Sequence, residues 1–260
     1  MVLTQSEYRD YCERYRVVWK YLKMSSYPED IVITSLCTER GYDEGRMGKT
    51  LRGIGFAFVD QDSFNFEKIR KLDRGDLGIT NSKGKFLLSG RYILPVKDML
   101  GNIIALIGWQ GQSDRKYVTT PSRLFSKECL FYGMEQIGKV GIGKPCILVE
   151  GIFDSISVRS LGLNCYAMMG ISVSRYKTEM YSLFGKMLAI PDCDTEGRKV
   201  IRDDTWQLPS RGKYLNWSGA GATGIKDIDD FVKSFDGEEV RELLLSAYKE
   251  PDRVVNVRLE

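Results

Sequence analysis

The chain has 260 residues, of which 43% are hydrophobic and 28% charged, and its formal net charge is +3. This composition is typical of a soluble globular protein with one large domain or two smaller ones. The sequence has no apolar run near the roughly 18 residues that a membrane helix needs. Its charged, aromatic N-terminus is unlike a secretory signal. We therefore expect a cytoplasmic protein without membrane association.

Histidine is absent from the sequence, and the six cysteines include no CxxC pair. A structural zinc site needs closely spaced thiolates or imidazoles, so no zinc is expected in this chain. Every mechanism that depends on histidine is excluded as well. Catalysis must therefore use carboxylates, lysines, hydroxyl groups or metal ions. Cys146 and Cys165 lie in apolar runs and are expected in the core.

Residues 1–143 predict an α+β subdomain. Apolar residues at helical spacing predict a helix over residues 6–24. A second helix is predicted to begin near Pro28 and to end near Gly41. Between about residues 53 and 110, short runs rich in aromatic and β-branched residues alternate with turn sequences, which predicts strands in mixed or antiparallel pairing.

Lysine and arginine cluster in this first part, at residues 46–52 and 68–74, whereas carboxylates concentrate in the last third of the chain. This asymmetry suits a basic, nucleic-acid-facing subdomain followed by a metal-binding one. Two solvated helix faces explain the same charges equally well.

From residue 144 onward, apolar strands alternate with amphipathic helices, which implies a parallel sheet covered by helices on both faces. We place a domain boundary in the glycine- and lysine-rich run at 138–144. The α/β domain is assigned to residues 144–236, and residues 237–260 are predicted to form a helical tail.

Two further motifs lack the residue spacing of the nucleotide-binding and calcium-binding loops that they resemble. The run GRMGKT at 45–50 lacks the first glycine of a P-loop, since that position is Asp43, and we interpret it as a flexible basic turn. The run DCDTEG at 192–197 resembles the opening of an EF-hand loop. However, Asp203 stands where the loop needs glutamate, and an apolar strand precedes it.

Carboxylates stand at the ends of three successive predicted strands. They are Glu150, then Asp192 and Asp194, then Asp227, Asp229 and Asp230. In a parallel sheet, ligands bind outside the carboxyl ends of the strands. Grouped carboxylates repel one another unless a divalent cation neutralises them, and oxygen ligands fit Mg²⁺ or Mn²⁺. Considered separately, the three groups are also explained as a strand cap at Glu150, a turn at Asp192–Asp194 and an acidic first helical turn at 227–230. Together they favour a metal site.

Several stretches resemble known families. Those similar to the toprim domain of primases, topoisomerases and some nucleases are VEGIFD at 149–154, residues 168–170 and IPDCDTEG at 190–197. Those similar to the catalytic core of bacterial DnaG-type primases are IGFAF at 54–58, RYILPVKDMLGNIIALIGW at 91–109, KYVTTPSRLFSKECLFYG at 116–133 and KDIDDFV at 226–232. The resemblance implies a toprim-type parallel sheet flanked by helices and preceded by a mixed α+β subdomain.

The resemblance also implies residue roles. The implied metal-site residues are Glu150, Asp154, Asp192, Asp194, Asp227 and Asp229, of which Glu150, Asp192 and Asp194 are implied to be catalytic. Arg91, Lys116 and Lys127 are implied to bind nucleotide phosphates or template. An arginine on the family's nucleic-acid-binding face aligns with Trp109, which either stacks on a base or is buried.

The implied activity is that of a DNA primase, which makes short RNA primers from NTPs on single-stranded DNA by two-metal nucleotidyl transfer. Alternatives are a toprim-type metal-dependent nuclease and a non-catalytic nucleic-acid-binding module. Implied partners are the template, NTPs, the RNA primer, and a replicative helicase or separate zinc-binding primase component. Since the family's zinc-binding and helicase-binding domains are not in this sequence, an excised core and a compact stand-alone primase, such as a phage encodes, both remain open.

Overall fold

The computed structural model describes residues 3–60, 66–73, 76–218 and 224–258. The chain forms two compact units that divide between Ser126 and Lys127. The observed boundary lies before the one expected at 138–144, because residues shortly after Lys127 already pack in the second unit. Phe131 belongs to that unit's core, and Tyr132 forms a bridge with Ala167. Within the described ranges, no helix combines the length and apolarity of a membrane span.

The first unit is α+β. Its described helices are α1 (Gln5–Ser25), α2 (Glu29–Arg40), α3 (Glu44–Ile54) and α4 (Phe66–Asp73). Its strands are β1 (Ala57–Val59), β2 (Arg91–Lys97), β3 (Ile103–Trp109) and β4 (Tyr117–Thr119). The strands form an antiparallel sheet in the order β1-β2-β3-β4. The first two predicted helices and the antiparallel pairing are confirmed.

Local signals fix α1 against this sheet. Thr4 and Glu7 form a capping box, in which the Thr4 hydroxyl accepts a hydrogen bond from the Glu7 N–H at 3.2 Å. Such a cap satisfies backbone donors that the first helical turn leaves free. One face of α1 then buries Tyr15, Val18 and Leu22 in the core of the unit.

The run at 45–50 is a helix, so its interpretation as a flexible turn is wrong. Asp43 accepts a hydrogen bond from the Arg46 N–H at 2.7 Å and caps α3. This cap outweighs the low helix propensity of Gly45 and Gly48. Because α2, not a strand, precedes the run, the strand–loop–helix arrangement of a P-loop is not formed there.

The second unit is α/β. Its described helices are α5 (Glu135–Val140), α6 (Ile152–Ser160), α7 (Arg175–Glu179), α8 (Thr195–Arg202), α9 (Ile228–Ser234) and α10 (Gly237–Ala247), with a 3-10 helix at Met180–Leu183. Its strands are β5 (Cys146–Val149), β6 (Cys165–Ala167), β7 (Met187–Ile190), β8 (Gly212–Ser218) and β9 (Val254–Arg258). All pair in parallel, in the order β6-β5-β7-β8-β9. The predicted toprim-type sheet with flanking helices is confirmed, and Cys146 and Cys165 are buried in it.

The C-terminal segment is not wholly helical, which corrects the prediction for residues 237–260. After α10, β9 pairs with β8 from Val254 opposite Tyr214 to Arg258 opposite Ser218. The β-branched residues Val254, Val255 and Val257 favour this extended conformation. A five-residue strand at the sheet edge carries too short a pattern to distinguish from a helix end.

Candidate metal centre

The carboxyl ends of β5 and β7 lie side by side, because Val149 pairs with Ile190. From β5 the chain adds β6 on one side and β7 on the other, and such a reversal opens a crevice at the strand ends. Glu150 follows β5 directly, and Asp192 lies two residues beyond β7. We call Glu150, Asp154, Asp192, Asp194, Asp227 and Asp229 the acidic site.

Asp154 connects α6 to the end of β5. The Gly151 N–H donates a hydrogen bond to its Oδ2 at 2.7 Å, and its side chain is buried. Burial raises the pKa of Asp154 well above its usual range, and the negative charges of Asp227, Asp192 and Asp229 act in the same direction. These three carboxylates therefore lie close enough to Asp154 to influence its ionisation.

Asp192 is the most strongly perturbed of the half-buried carboxyl groups. Burial raises its pKa to about 8, and the charges of Glu150, Asp227 and Asp194 add to the effect. The Cys193 N–H donates to the carbonyl oxygen of Lys226 at 2.6 Å, which joins the loop after β7 to the segment before α9. Burial raises the pKa of Glu150 too, with a further contribution from Asp194.

Two members of the acidic site cap helices. Asp194 accepts a hydrogen bond from the Gly197 N–H at 2.8 Å, and Asp227 accepts one from the Asp230 N–H at 2.8 Å. The turn expected at Asp192–Asp194 does lead into a helix, and Asp229 and Asp230 do form an acidic first helical turn. Each cap uses one oxygen, and a carboxylate has two, so capping is compatible with binding a cation.

Asp229 has partners for both of its oxygens. The buried Ser157 hydroxyl donates to one oxygen, and the Lys233 ammonium lies 3.1 Å from the other and 2.9 Å from Asp230. Sequence reasoning named neither Ser157 nor Lys233. The spacing of Lys233, three and four residues after two aspartates, was a usable signal. Ser157, on α6, gave none.

The donor set fits a divalent cation. Carboxylate oxygens of Asp227, Asp229 and Asp230 lie within 4.8 Å of one another. Burial and mutual repulsion raise the pKa values of Glu150, Asp192 and Asp227. A bound cation would relieve this repulsion, and oxygen donors of this kind prefer Mg²⁺ or Mn²⁺.

The basic residues implied by the resemblance differ in exposure. Lys116 in the first unit and Lys127 in the second are exposed. The Arg91 guanidinium instead donates to the Arg115 carbonyl oxygen at 2.8 Å and to the Ser113 hydroxyl at 3.1 Å. Arg91 therefore holds the turn that carries Lys116.

Trp109 is buried, which corrects its assignment as a template-binding residue. Its side chain is 3% exposed, the Tyr92 ring lies 5.9 Å away, and the Arg40 guanidinium lies 5.2 Å from its ring centre. No ring face is left for a base. The alignment with a family arginine could not show this burial, because it depends on side chains from α2 and β2.

The chain is similar in sequence to several known proteins. Residues 147–232 match the Toprim-like family. A DNA primase of Aquifex aeolicus (strain VF5) is 32% identical over 182 residues, which are 65% of this chain and 35% of the relative. A DNA primase of Thermotoga maritima is 29% identical over 198 residues, 70% of this chain and 34% of the relative. The chain thus spans about a third of the length of these curated relatives.

Solved structures share the fold over most of the chain. The zinc-binding and RNA polymerase domains of the Aquifex aeolicus primase superpose with a TM-score of 0.69 at 25% identity, over 94% of this chain and 62% of that one. A DnaG primase catalytic domain bound to single-stranded DNA gives a TM-score of 0.72 at 17% identity, over 94% and 80%. Residues 147–232 are therefore similar to toprim-like domains. Over most of its length, the chain has the fold of DnaG-type primase catalytic cores.

Proposed function

We propose that this chain is the polymerising core of a DNA primase, which joins ribonucleotides on a single-stranded DNA template. The observation that carries the proposal is the acidic site at the ends of β5 and β7. The chain in which this site lies matches proteins named DNA primases. The alternative of an inert nucleic-acid-binding module does not explain why the chain holds these mutually repelling carboxylates together, with Asp154 and Asp229 buried.

The proposed reaction is attack by a ribonucleotide 3′-hydroxyl on the α-phosphate of an incoming NTP, with release of pyrophosphate. Bound Mg²⁺ or Mn²⁺ ions supply charge stabilisation at the attacking and leaving oxygens. Glu150, Asp192 and Asp194 are the proposed catalytic carboxylates, and Asp154 and Asp227 are proposed metal ligands. Asp229 is a further proposed ligand, and its contacts with Ser157 and Lys233 hold it in orientation.

The exposed lysines Lys116 and Lys127 are proposed to offset phosphate charge on the nucleotide or the template. Arg91 contributes by holding the turn before Lys116. Basic residues of the first unit would contact the template backbone. Such binding weakens steeply with rising salt concentration, because salt cations compete with lysine and arginine side chains for the phosphates. A replicative helicase or a separate zinc-binding primase component is the proposed partner, in the cytoplasm of a bacterial or phage-infected cell.

One assay separates primase from nuclease. The chain is incubated with end-labelled single-stranded DNA, labelled NTPs and Mg²⁺ or Mn²⁺. We expect oligoribonucleotides that require a template and that disappear in Asp192→Asn. Metal-dependent cleavage of the DNA without synthesis would instead establish a toprim nuclease, and binding without either reaction would indicate the inert module.

A further inference from the structure

A lysine is buried inside the second unit. Lys177, in α7, is 0% exposed, and its ammonium donates hydrogen bonds to the carbonyl oxygens of Met168 at 2.6 Å and Lys127 at 2.7 Å. The ammonium also lies 5.3 Å from the centre of the Phe131 ring. Lysine is rarely fully buried, because removing its charge from water is unfavourable. Its desolvation here lowers the pKa to about 8.

The first of these carbonyls lies beside the acidic site. Met168 directly follows β6, and its N–H donates to the Val149 carbonyl oxygen at 2.7 Å. The next N–H, from Met169, donates to the carbonyl oxygen of Glu150 at 2.8 Å. Met169 has a φ of 59°, in the left-handed region that non-glycine residues rarely adopt. Lys177 therefore binds backbone that is itself bonded to the backbone of Glu150.

The second carbonyl belongs to Lys127, whose side chain is exposed. The segment 127–130 lies outside the helices and strands of the unit. Ser174, which caps α7, donates from its hydroxyl to the Glu128 carbonyl oxygen at 2.6 Å. The start of α7 thus holds this segment at two consecutive carbonyls.

We propose that Lys177 is a positioning residue that fixes the Lys127 segment at the carboxyl edge of the sheet, so that Lys127 meets the nucleotide triphosphate beside Glu150. This inference rests on the proposed function. An ammonium at the end of a long side chain can donate in three directions, which suits bridging two carbonyls from separate segments while it lies against an aromatic ring. Its effect on the reaction is exerted through Lys127, without contact with substrate.

The kinetic test uses Lys177→Met, Lys127→Ala and the double variant in the primer-synthesis assay. Lys177→Met keeps the apolar stem and removes the donors. We expect each single change to raise the KM for NTP roughly tenfold with a smaller effect on kcat, because a displaced phosphate-binding group weakens binding and alignment. The double variant should resemble Lys127→Ala, since Lys177 acts through that residue. Multiplied effects would overturn the proposal, and Lys186→Met, at an exposed lysine of the same unit, is the control.

A second readout does not depend on activity. Amide hydrogen exchange of segment 127–130 should accelerate in Lys177→Met, while β5 and β7 stay protected. Unchanged exchange in a folded variant would overturn the positioning role. If the methionine variant does not fold, Lys177→Gln serves the same test, because its shorter amide cannot reach both carbonyls and should also accelerate exchange. A wild-type chain that binds nucleotide but makes no primers would refute the proposed function alone and leave the exchange test standing.

Discussion

The fold holds the individual carboxyl groups of the acidic site close together although their negative charges repel one another. Asp192 has a pKa raised to about 8 by burial and by neighbours that include Glu150 and Asp227. In metal-free protein at pH 8.5, Asp192→Asn should therefore raise the free energy of unfolding, by about 1–3 kcal/mol. The same change should reduce the increase in melting temperature that Mg²⁺ produces, because a ligand is lost.

Calorimetry with EDTA and with Mg²⁺ measures both effects. Asp203→Asn is the matched control, since Asp203 is an exposed aspartate at the C-terminal end of α8 that pairs with Arg202. A metal-free Asp192→Asn protein that is less stable than wild type would show that the carboxylates are not in repulsion.

Because Lys177 is buried, its contribution to the free energy of unfolding should increase as pH rises. Proteins more commonly lose stability in alkali. Its pKa is about 8 in the folded chain and near 10.5 when unfolded; Lys127 lowers it further, whereas Glu128 and Cys129 oppose the shift. Between these pH values the unfolded chain binds more protons, so this group's contribution to the free energy of unfolding rises with pH, by at most about 3 kcal/mol. Urea unfolding at pH 7.5 and 9.5, compared with Lys177→Met, isolates this contribution. A difference between the two proteins that stays constant with pH would contradict the burial of a charged lysine.

At the scale of elements, the start of α8 depends on a glycine. A Cβ on Gly197 would overlap the carbonyl oxygen of Asp192. Gly197→Ala should therefore push α8 away from the loop after β7, lower the free energy of unfolding by about 1–3 kcal/mol and reduce primer synthesis at least roughly tenfold. Denaturant unfolding and the synthesis assay measure the two effects.

The matched control is Gly53→Ala in α3, where a Cβ would meet nothing within 4 Å. That change should be neutral or stabilising, since alanine favours a helix by up to about 1 kcal/mol over glycine. Equal losses in both variants would mean that the contact with Asp192 is unimportant.

Sequence patterns predicted the elements that carry a long or repeated signal. The alternation from Cys146 onward gave the parallel sheet, and the helical spacing before Ser25 gave α1. Sequence patterns did not predict α3, where the Asp43 cap outweighs the low helix propensity of two glycines. They also did not predict β9, because this five-residue strand is stabilised by its pairing with β8. Within the acidic site, strand ends and the family resemblance predicted which carboxylates take part, and their roles stay predictions.

Two contacts in and beside the acidic site, those of Ser157 and Lys177, could not be predicted in the same way. Ser157 and Lys177 act through neighbours that only the tertiary structure supplies, 72 residues away for Ser157 and 50 for the Lys127 contact. Burial likewise decided between the two interpretations of Trp109.

For the whole molecule, we expect template binding that is largely electrostatic. Lys116→Ala should weaken binding to single-stranded DNA of any sequence and should reduce the slope of log affinity against log salt by about 1, because one phosphate contact is lost. Fluorescence anisotropy with labelled oligonucleotides at several salt concentrations measures this slope. The control Asp114→Ala, at an exposed neighbouring residue, should not reduce this slope. Equal slopes for wild type and Lys116→Ala would show that Lys116 does not contact the template.

The proposed activity is nucleotide transfer by the acidic site under the direction of a template. Its most direct test is extension of an end-labelled RNA primer already annealed to DNA, which avoids any need for start-site selection by other domains. With Mg²⁺ or Mn²⁺, the wild-type chain should add the NTP complementary to the next template base, Asp192→Asn should add none, and Asp203→Asn should match wild type. A folded, DNA-binding wild-type chain that leaves the primer unextended, or an Asp192→Asn chain that extends it equally well, would contradict the account.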